Sequence, residues 1–206
     1  MRALFPAVAT ALLLGPVSGG QAKVQVYEIL PARSELAVVA TQEGMMSRLR
    51  PSHRLALKSF VGRVRVPAAD ETQVEVELEA EAASLANVDK EITELERTEF
   101  EAILRQTVLE VGRFPKIKFR SAGVADVRTS PEGRRFTLLG DLMLHGETRR
   151  VAVPMTVVIK AGELRATGES KLKQTDFAMK PYAGGFGAIK IGDEVKVSFT
   201  VVAKLT

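Results

Sequence analysis

The sequence predicts an all-β fold, an antiparallel barrel of eight strands accompanied by one helix. Residues 73–82 and 195–205 alternate between apolar and polar side chains, which is typical of strands with one buried face. Short turn-forming sequences, such as residues 131–133 and 161–163, separate several of these segments and favour hairpins between antiparallel neighbours. Such a set closes well into a barrel, because closure removes the exposed strand edges.

The first 22 residues are typical of a secretory signal peptide. Arg2 precedes an apolar segment at residues 3–14, and a small-residue segment follows at residues 19–22. The apolar segment is much shorter than the ~20 residues of a membrane-spanning helix. We therefore predict an exported protein, periplasmic or secreted, without a stable membrane anchor, whose residues 23–206 form a single domain.

Eight strands are predicted along that domain. Their ranges are 34–41, 53–66 (taken as one bent strand), 73–82, 116–127, 136–145, 151–159, 164–172 and 195–205. In the third strand the glutamates at every second position predict a solvated outer row, and the apolar side chains between them predict the inner face. His145 ends the fifth strand, next to Gly146, and is predicted to be a surface residue of the turn.

Residues 89–109 have helical spacing of their apolar side chains, and acidic residues from Asp89 onward suit a helix N-terminus. Phe114-Pro115 then predicts the end of this segment and the start of the next strand. The amphipathic helix is expected to lie across one end of the barrel.

Composition excludes several classes of function. The chain has 206 residues, no cysteine, two histidines, no tryptophan and a net charge of +4. Thiolate nucleophiles and cysteine-ligated zinc are excluded, two histidines leave little room for a histidine metal site or a Ser-His-Asp triad, and neither aromatic content nor charge suggests nucleic-acid binding. We predict no catalytic residues, no cofactor and no metal.

Three segments resemble, in order, the YceI-like family of lipid- or polyisoprenoid-binding proteins. They are residues 114–121 (FPKIKFRS), residues 140–150 (GDLMLHGETRR), and the pair TDFAM at 175–179 with GDEV at 192–195. The sequence departs from the family at Ala178, where the family has glycine, and at Pro51, where a related branch has a second histidine. The resemblance implies a lipocalin-like barrel with an elongated apolar tunnel for an isoprenoid or another long-chain amphiphile.

From the residues alone, the barrel interior could be packed or could hold one small ligand. The inner positions are mostly medium-sized aliphatic side chains, and Gly140 and Ala80 leave room in mid-strand, which favours a cavity. With the resemblance, we predict a ligand tunnel lined by Val76, Leu78, Leu95, Phe100, Leu104, Phe119, Leu138, Leu142, Leu144, Met155, Phe177, Val197 and Phe199.

A basic segment precedes the second predicted strand and contains Arg48, Arg50, His53 and Arg54. A solvated loop is the plain interpretation. The more specific hypothesis is that these side chains lie at the barrel mouth and bind an anionic lipid head group, since guanidinium groups bind phosphate and carboxylate in a bidentate manner.

Binding of a long-chain isoprenoid or lipid, without catalysis, is the predicted function. One alternative is a periplasmic stress or structural protein with a packed core that acts through a protein partner. Another is an enzyme acting on the apolar ligand, which the lack of any nucleophile–base pair or phosphate-binding motif disfavours. The sequence leaves open whether the barrel forms a homodimer.

Overall fold

The computed structural model describes residues 24–43, 52–68, 73–131, 133–184 and 189–206. These residues form twelve strands in one antiparallel sheet, and one α-helix, α1 (Glu94–Ile103). The strands are β1 (Val24–Ile29), β2 (Glu35–Glu43), β3 (Ser52–Leu57), β4 (Phe60–Pro67), β5 (Glu75–Glu81), β6 (Leu85–Asn87), β7 (Lys116–Ser130), β8 (Gly133–Leu144), β9 (Glu147–Lys160), β10 (Glu163–Lys173), β11 (Ala183–Gly184) and β12 (Ile189–Leu205).

The sheet closes into an eight-stranded lipocalin-like barrel, as predicted. The ring runs β1-β4-β5-β7-β8-β9-β10-β12, and β12 pairs back onto β1, where Tyr27 is opposite Leu205. Only short breaks separate β1 from β2, β3 from β4, and β5 from β6. Since β2 pairs with β3 and β3 with β6, these segments continue the ring as bent strands. The predicted bent strand at residues 53–66 is therefore confirmed, with its bend at residues 58 and 59.

Strand β1 and the start of the helix differ from the prediction. Strand β1 was not predicted, because its apolar residues occupy both faces and only Tyr27 and Ile29 are buried. The helix begins at Glu94 instead of near Asp89. Thr93 is its N-cap: its hydroxyl accepts a hydrogen bond from the Glu96 amide, and the Glu96 carboxylate accepts one from the Thr93 amide. A π-helical turn, Leu104–Val108, extends the helix.

The predicted signal peptide at residues 1–22 lies outside the described residues. Within them, none of the helices has the length and apolar character needed to span a bilayer.

The predicted outer row of glutamates is confirmed. Glu75 and Glu77 of β5 pair with Arg65 and Arg63 of β4. On the other side of β5, Glu79 lies 3.0 Å from Nζ of Lys116 in β7. Hydrogen bonds from Arg63 and Lys116 lower the pKa of Glu77 and of Glu79, respectively. The outer face of these three strands is thus a ladder of opposite charges.

His145 is a correction, because it is buried instead of exposed. It forms a two-residue hairpin turn with Gly146, in which both residues have positive φ angles of 51° and 78°. Its Nε2 lies 2.9 Å from Oε2 of Glu110, its Nδ1 lies 3.2 Å from the carbonyl oxygen of Phe177, and its ring contacts Phe114. His145 therefore links the turn between β8 and β9 to Glu110, earlier in the chain, and to Phe177, later in the chain.

Candidate functional site

The barrel encloses a cavity of about 1190 Å³. Its wall is largely aliphatic and is built from the inward-facing residues of the strands, closed at one end by α1 and the π-helical turn. We call this end, where β2 finishes and β3 begins, the helix end. The far end lies at the hairpin that joins β7 to β8. The cavity exceeds the 300–1,000 Å³ or so that is usual for small-molecule sites.

Most of the predicted tunnel residues line this cavity. Those found on its wall are Val76, Leu78, Phe100, Leu104, Phe119, Leu138, Leu142, Leu144, Met155, Val197 and Phe199. Alternation along the strands found nearly all of them, because in a barrel every second side chain faces inward.

Leu95 and Phe177 are corrections. Leu95 is 70% exposed on the outer side of α1, because its spacing of five residues from Phe100 turns it about 140° away from the side chain that faces the barrel. Phe177 is 1% exposed and packs into the apolar cluster beneath the helix end, away from the cavity wall. Its backbone carbonyl faces His145.

The prediction that Gly140 and Ala80 leave room for a ligand in mid-strand is also wrong. A Cβ at Gly140 would lie 2.5 Å from Cε2 of Phe119, so an aromatic ring of the neighbouring strand already fills that position. Ala80 is buried in the core cluster around Tyr27 and does not line the cavity. The cavity owes its volume to the diameter of the barrel and to the aliphatic wall.

His53 lines the helix end of the cavity and is 8% exposed, so the solvated-loop interpretation is wrong for this residue. Its Nδ1 lies 2.9 Å from Oδ2 of Asp89, and its ring centroid lies 4.9 Å from that of Phe100 on α1. The other carboxylate oxygen of Asp89 accepts a hydrogen bond from the backbone amide of Arg54. His53 is therefore held between the segment before α1 and the helix itself.

The environment of Asp89 favours its ionised form. Burial by itself raises the pKa of this carboxyl, but the hydrogen bonds from the Arg54 amide, the His53 ring and the Asn87 side chain lower it by more. The net effect is a pKa below the usual value for aspartate. An ionised carboxylate only accepts hydrogen bonds, so Nδ1 of His53 carries the proton of this contact.

Of the other predicted head-group residues, Arg54 does not line the cavity. Arg54 is a correction: it follows His53 along β3, so its side chain lies on the outer face, where its guanidinium lies 2.6 Å from Glu35. Arg48 and Arg50 lie outside the described residues, and their role stays a prediction.

Two buried polar residues of the described wall were not predicted, Gln42 and Gln174. Gln42 shares the inner face of β2 with Val38 and Ala40, so the same alternation could have found it if the predicted strand had continued past residue 41. Gln174 lies in the helical turn after β10 and donates a hydrogen bond of 2.8 Å to the carbonyl of Gly192. Its position depends on a contact that no local pattern reveals.

Within the described ranges, no group of three or more histidine and carboxylate side chains is arranged to hold a metal ion. The charged side chains on the described wall are Glu96 and Glu99, next to Phe100 at the helix end, and Arg134 at the far end.

The family model described as YceI-like domain matches residues 27–203. The chain belongs to the YceI-like family. The predicted resemblance to this family is therefore confirmed. No curated protein sequence shows significant similarity to the chain.

Solved structures of low sequence identity have the same YceI-like fold. BcnA of Burkholderia cenocepacia is 20% identical, with a TM-score of 0.65 over 84% of this chain and 98% of its own. A polyisoprenoid binding domain from Saccharophagus degradans is 14% identical, with a TM-score of 0.63 over 87% of this chain and 98% of its own. The YceI protein of Campylobacter jejuni is 12% identical, with a TM-score of 0.56 over 73% and 83%.

Proposed function

We propose that this YceI-like chain binds a polyisoprenoid or another long-chain apolar molecule in the barrel cavity and leaves it chemically unchanged. The observation that carries the proposal is the cavity itself, about 1190 Å³ with a largely aliphatic wall. Transfer of an alkyl chain from water into such a space is favourable by about 25 cal/mol per Å² of apolar surface. The solved domain from Saccharophagus degradans, described as polyisoprenoid binding, supports the same class of ligand.

The dimensions of the barrel suggest a chain length. Arg134 and Leu144 both line the cavity and lie at opposite ends of β8. At ~3.4 Å per residue and a strand tilt of ~40°, they are separated by roughly 25 Å along the barrel axis. Carbon–carbon bonds of ~1.5 Å advance an extended chain by ~1.3 Å each, so about 20 main-chain carbons span that length.

The wall supports binding more than catalysis. Covalent and acid–base catalysis need a nucleophile or a proton donor and acceptor placed at a reactive atom. The histidine on the wall, His53, is committed through Nδ1 to Asp89. Most of the surface that a ligand would contact is aliphatic.

Mass analysis of bound lipid tests the proposal. The full chain is purified without detergent, extracted with organic solvent, and the extract is analysed by mass spectrometry against the protein concentration. We expect one long-chain lipid in stoichiometric amount. Lipid-free protein that also fails to take up a polyprenol of about 20 main-chain carbons from vesicles would contradict the proposal and favour an empty barrel that acts through a protein partner.

We further propose that the chain is exported and that residues 1–22 are removed. The order of charge, apolar segment and small residues at the N-terminus supports this. The intact mass of the protein recovered from the periplasmic or secreted fraction tests it. A mass that retains residues 1–22, or recovery in the cytoplasmic fraction alone, would contradict export. Light scattering on the same sample tests the possible homodimer.

A further inference from the structure

Three buried polar side chains interrupt the apolar wall at the helix end of the cavity, among the described residues. Gln42, His53 and Gln174 are 7%, 8% and 6% exposed, and all three line the cavity. Burying an amide or an imidazole costs free energy unless its hydrogen bonds are made. The hydrogen bonds that these three side chains do not make within the protein therefore indicate which groups a ligand has to provide.

Each of the three retains an unused hydrogen-bonding atom. Nδ1 of His53 is taken by Asp89, and Nε2 of Gln174 is taken by the Gly192 carbonyl. Nε2 of His53, Oε1 of Gln174 and the whole amide of Gln42 have no partner among the described residues. In that part of the chain, no completely enclosed side-chain nitrogen or oxygen lacks a partner. The unused atoms are therefore not completely enclosed by the protein, and the residues that carry them line the cavity.

The strand register brings the three side chains to one place. His53 is opposite Ala40, so it is the diagonal neighbour of Gln42 on the inner face of β2 and β3. On the other side of β2, Gln42 is opposite Ile191 of β12. Gly192, which holds Gln174, is the residue after Ile191.

The charges around these groups do not suit an anion. Glu96 and Glu99 lie at the rim of the same end, and Asp89 lies behind His53. The cationic side chain on the described wall, Arg134, is at the far end. An anionic group at the helix end would face acidic side chains without a cation on the described wall to balance it.

We propose that Gln42, His53 and Gln174 form a binding site for the hydroxyl group of a long-chain alcohol. The hydroxyl donates a hydrogen bond to Nε2 of His53 and accepts one from the amide of Gln42. Oε1 of Gln174 provides a second acceptor on the same side. This inference rests on the proposed function and identifies the class of ligand for the same cavity.

The tautomer of His53 distinguishes a hydroxyl from other neutral groups. The ionised Asp89 holds a proton on Nδ1, so in the neutral imidazole Nε2 is the acceptor and pairs with a donor from the ligand. An ether or a ketone accepts but cannot donate, and would leave Nε2 unpaired. A hydroxyl does both, and so it satisfies His53 and Gln42 together.

Four probes with one identical chain test the site: phytanol, its methyl ether, phytanyl phosphate and the hydrocarbon phytane. Each is delivered from the same micelles and titrated calorimetrically into the full chain. We expect phytanol to bind about tenfold more tightly than the ether, which is the effect of one buried hydrogen bond. We also expect phytanol to bind more tightly than the phosphate.

Gln42→Met tests the amide with little change in side-chain volume. We expect it to weaken phytanol binding by about tenfold. Gln106→Met, at an exposed position of the π-helical turn, is the matched control and should leave phytanol binding unchanged. If Gln42→Met does not fold, the comparison of phytanol with its ether on the unaltered chain still tests the hydroxyl site.

The outcomes separate the two proposals. Equal affinity for phytanol and its ether, or an unchanged affinity for phytanol in Gln42→Met, would overturn the hydroxyl site. Tightest binding of the phosphate would also overturn it and would favour the predicted role of Arg48 and Arg50. If phytane binds in any of these cases, the proposed function stands. If none of the four probes binds, both proposals are overturned.

Discussion

The ring of Phe199 occupies the space above Gly168, its direct partner across β10 and β12. A Cβ on Gly168 would lie 2.6 Å from Cζ of Phe199 and 2.5 Å from the carbonyl oxygen of Pro154. We therefore expect Gly168→Ala to lower the free energy of unfolding by about 1–3 kcal/mol, since one of these atoms has to move. Chemical denaturation measures the change.

Gly112→Ala is the matched control, because a Cβ at that position would have no atom within 4 Å. Its free energy of unfolding should equal or exceed that of the unaltered chain. Equal losses in both variants would mean that Phe199 does not occupy the space above Gly168.

Two adjacent residues of β9 test which face is the inner one. Val153 lines the cavity, whereas Ala152 is exposed. Val153→Glu should abolish lipid retention and lower the midpoint of thermal unfolding, because it places a carboxylate in an apolar space. Ala152→Glu should change neither. Bound lipid by mass and the midpoint by circular dichroism report the two effects, and lipid retained in Val153→Glu would contradict the assignment of the cavity.

The contact between Phe100 and His53 makes α1 part of the cavity wall. Phe100→Ala should lower the free energy of unfolding by about 1–3 kcal/mol and accelerate ligand release, because a half-buried aromatic side chain is lost from the closed end. Leu95→Ala, on the exposed side of the same helix, should stay within ~0.5 kcal/mol. Stopped-flow release of a fluorescent long-chain alcohol measures the rate. Identical behaviour of the two variants would show that α1 does not close the cavity.

The lowered pKa of Asp89 predicts a stability that depends on pH. A carboxyl whose pKa is lower in the folded state stabilises the protein above its unfolded pKa, about 3.9, and this contribution disappears as the pH falls through the folded value. Asp89→Asn should therefore be less stable than the unaltered chain near pH 7, with a difference that narrows in acid. Asp126→Asn, at an exposed position, is the control. A difference independent of pH would contradict this role.

Ala178 has a φ angle of 54°, in the left-handed region. Glycine adopts this conformation without the steric cost of a Cβ, which gives a physical reason for the glycine that the YceI-like pattern has here. Ala178→Gly should raise the free energy of unfolding by about 0.5–1 kcal/mol, whereas Ala102→Gly in α1 should lower it by a similar amount. A loss of stability in Ala178→Gly would show that the conformation is not strained.

The sequence predicts the barrel and most of its wall because both follow from a period of two residues. The same rule applies to every strand, so Leu138, Met155 and Val197 could be placed on the inner face without knowing which strands pair. Turn residues such as Ala161-Gly162 then indicated where the hairpins lie, here between β9 and β10.

What the sequence does not predict depends on contacts between distant residues. Asp89 was predicted to be part of a helix N-terminus, but it is hydrogen-bonded to His53, 36 positions earlier in the chain. His145 was predicted to be a surface residue, but it is buried and contacts Glu110, earlier in the chain, and Phe177, later in the chain. In each case a polar side chain is placed by a tertiary partner, and local periodicity carries no information about such partners.

The charge ladder on β4, β5 and β7 has a consequence for how this barrel can change over evolution. A shift of β5 by one residue would turn its glutamates toward the apolar interior, and the basic residues of β4 and β7 would repel one another if those two strands were neighbours. The outer face thereby favours one order of these three strands. The inner aliphatic residues take no part in that preference, so they can be exchanged for one another to suit a longer, shorter or thicker guest while the order of the strands is kept.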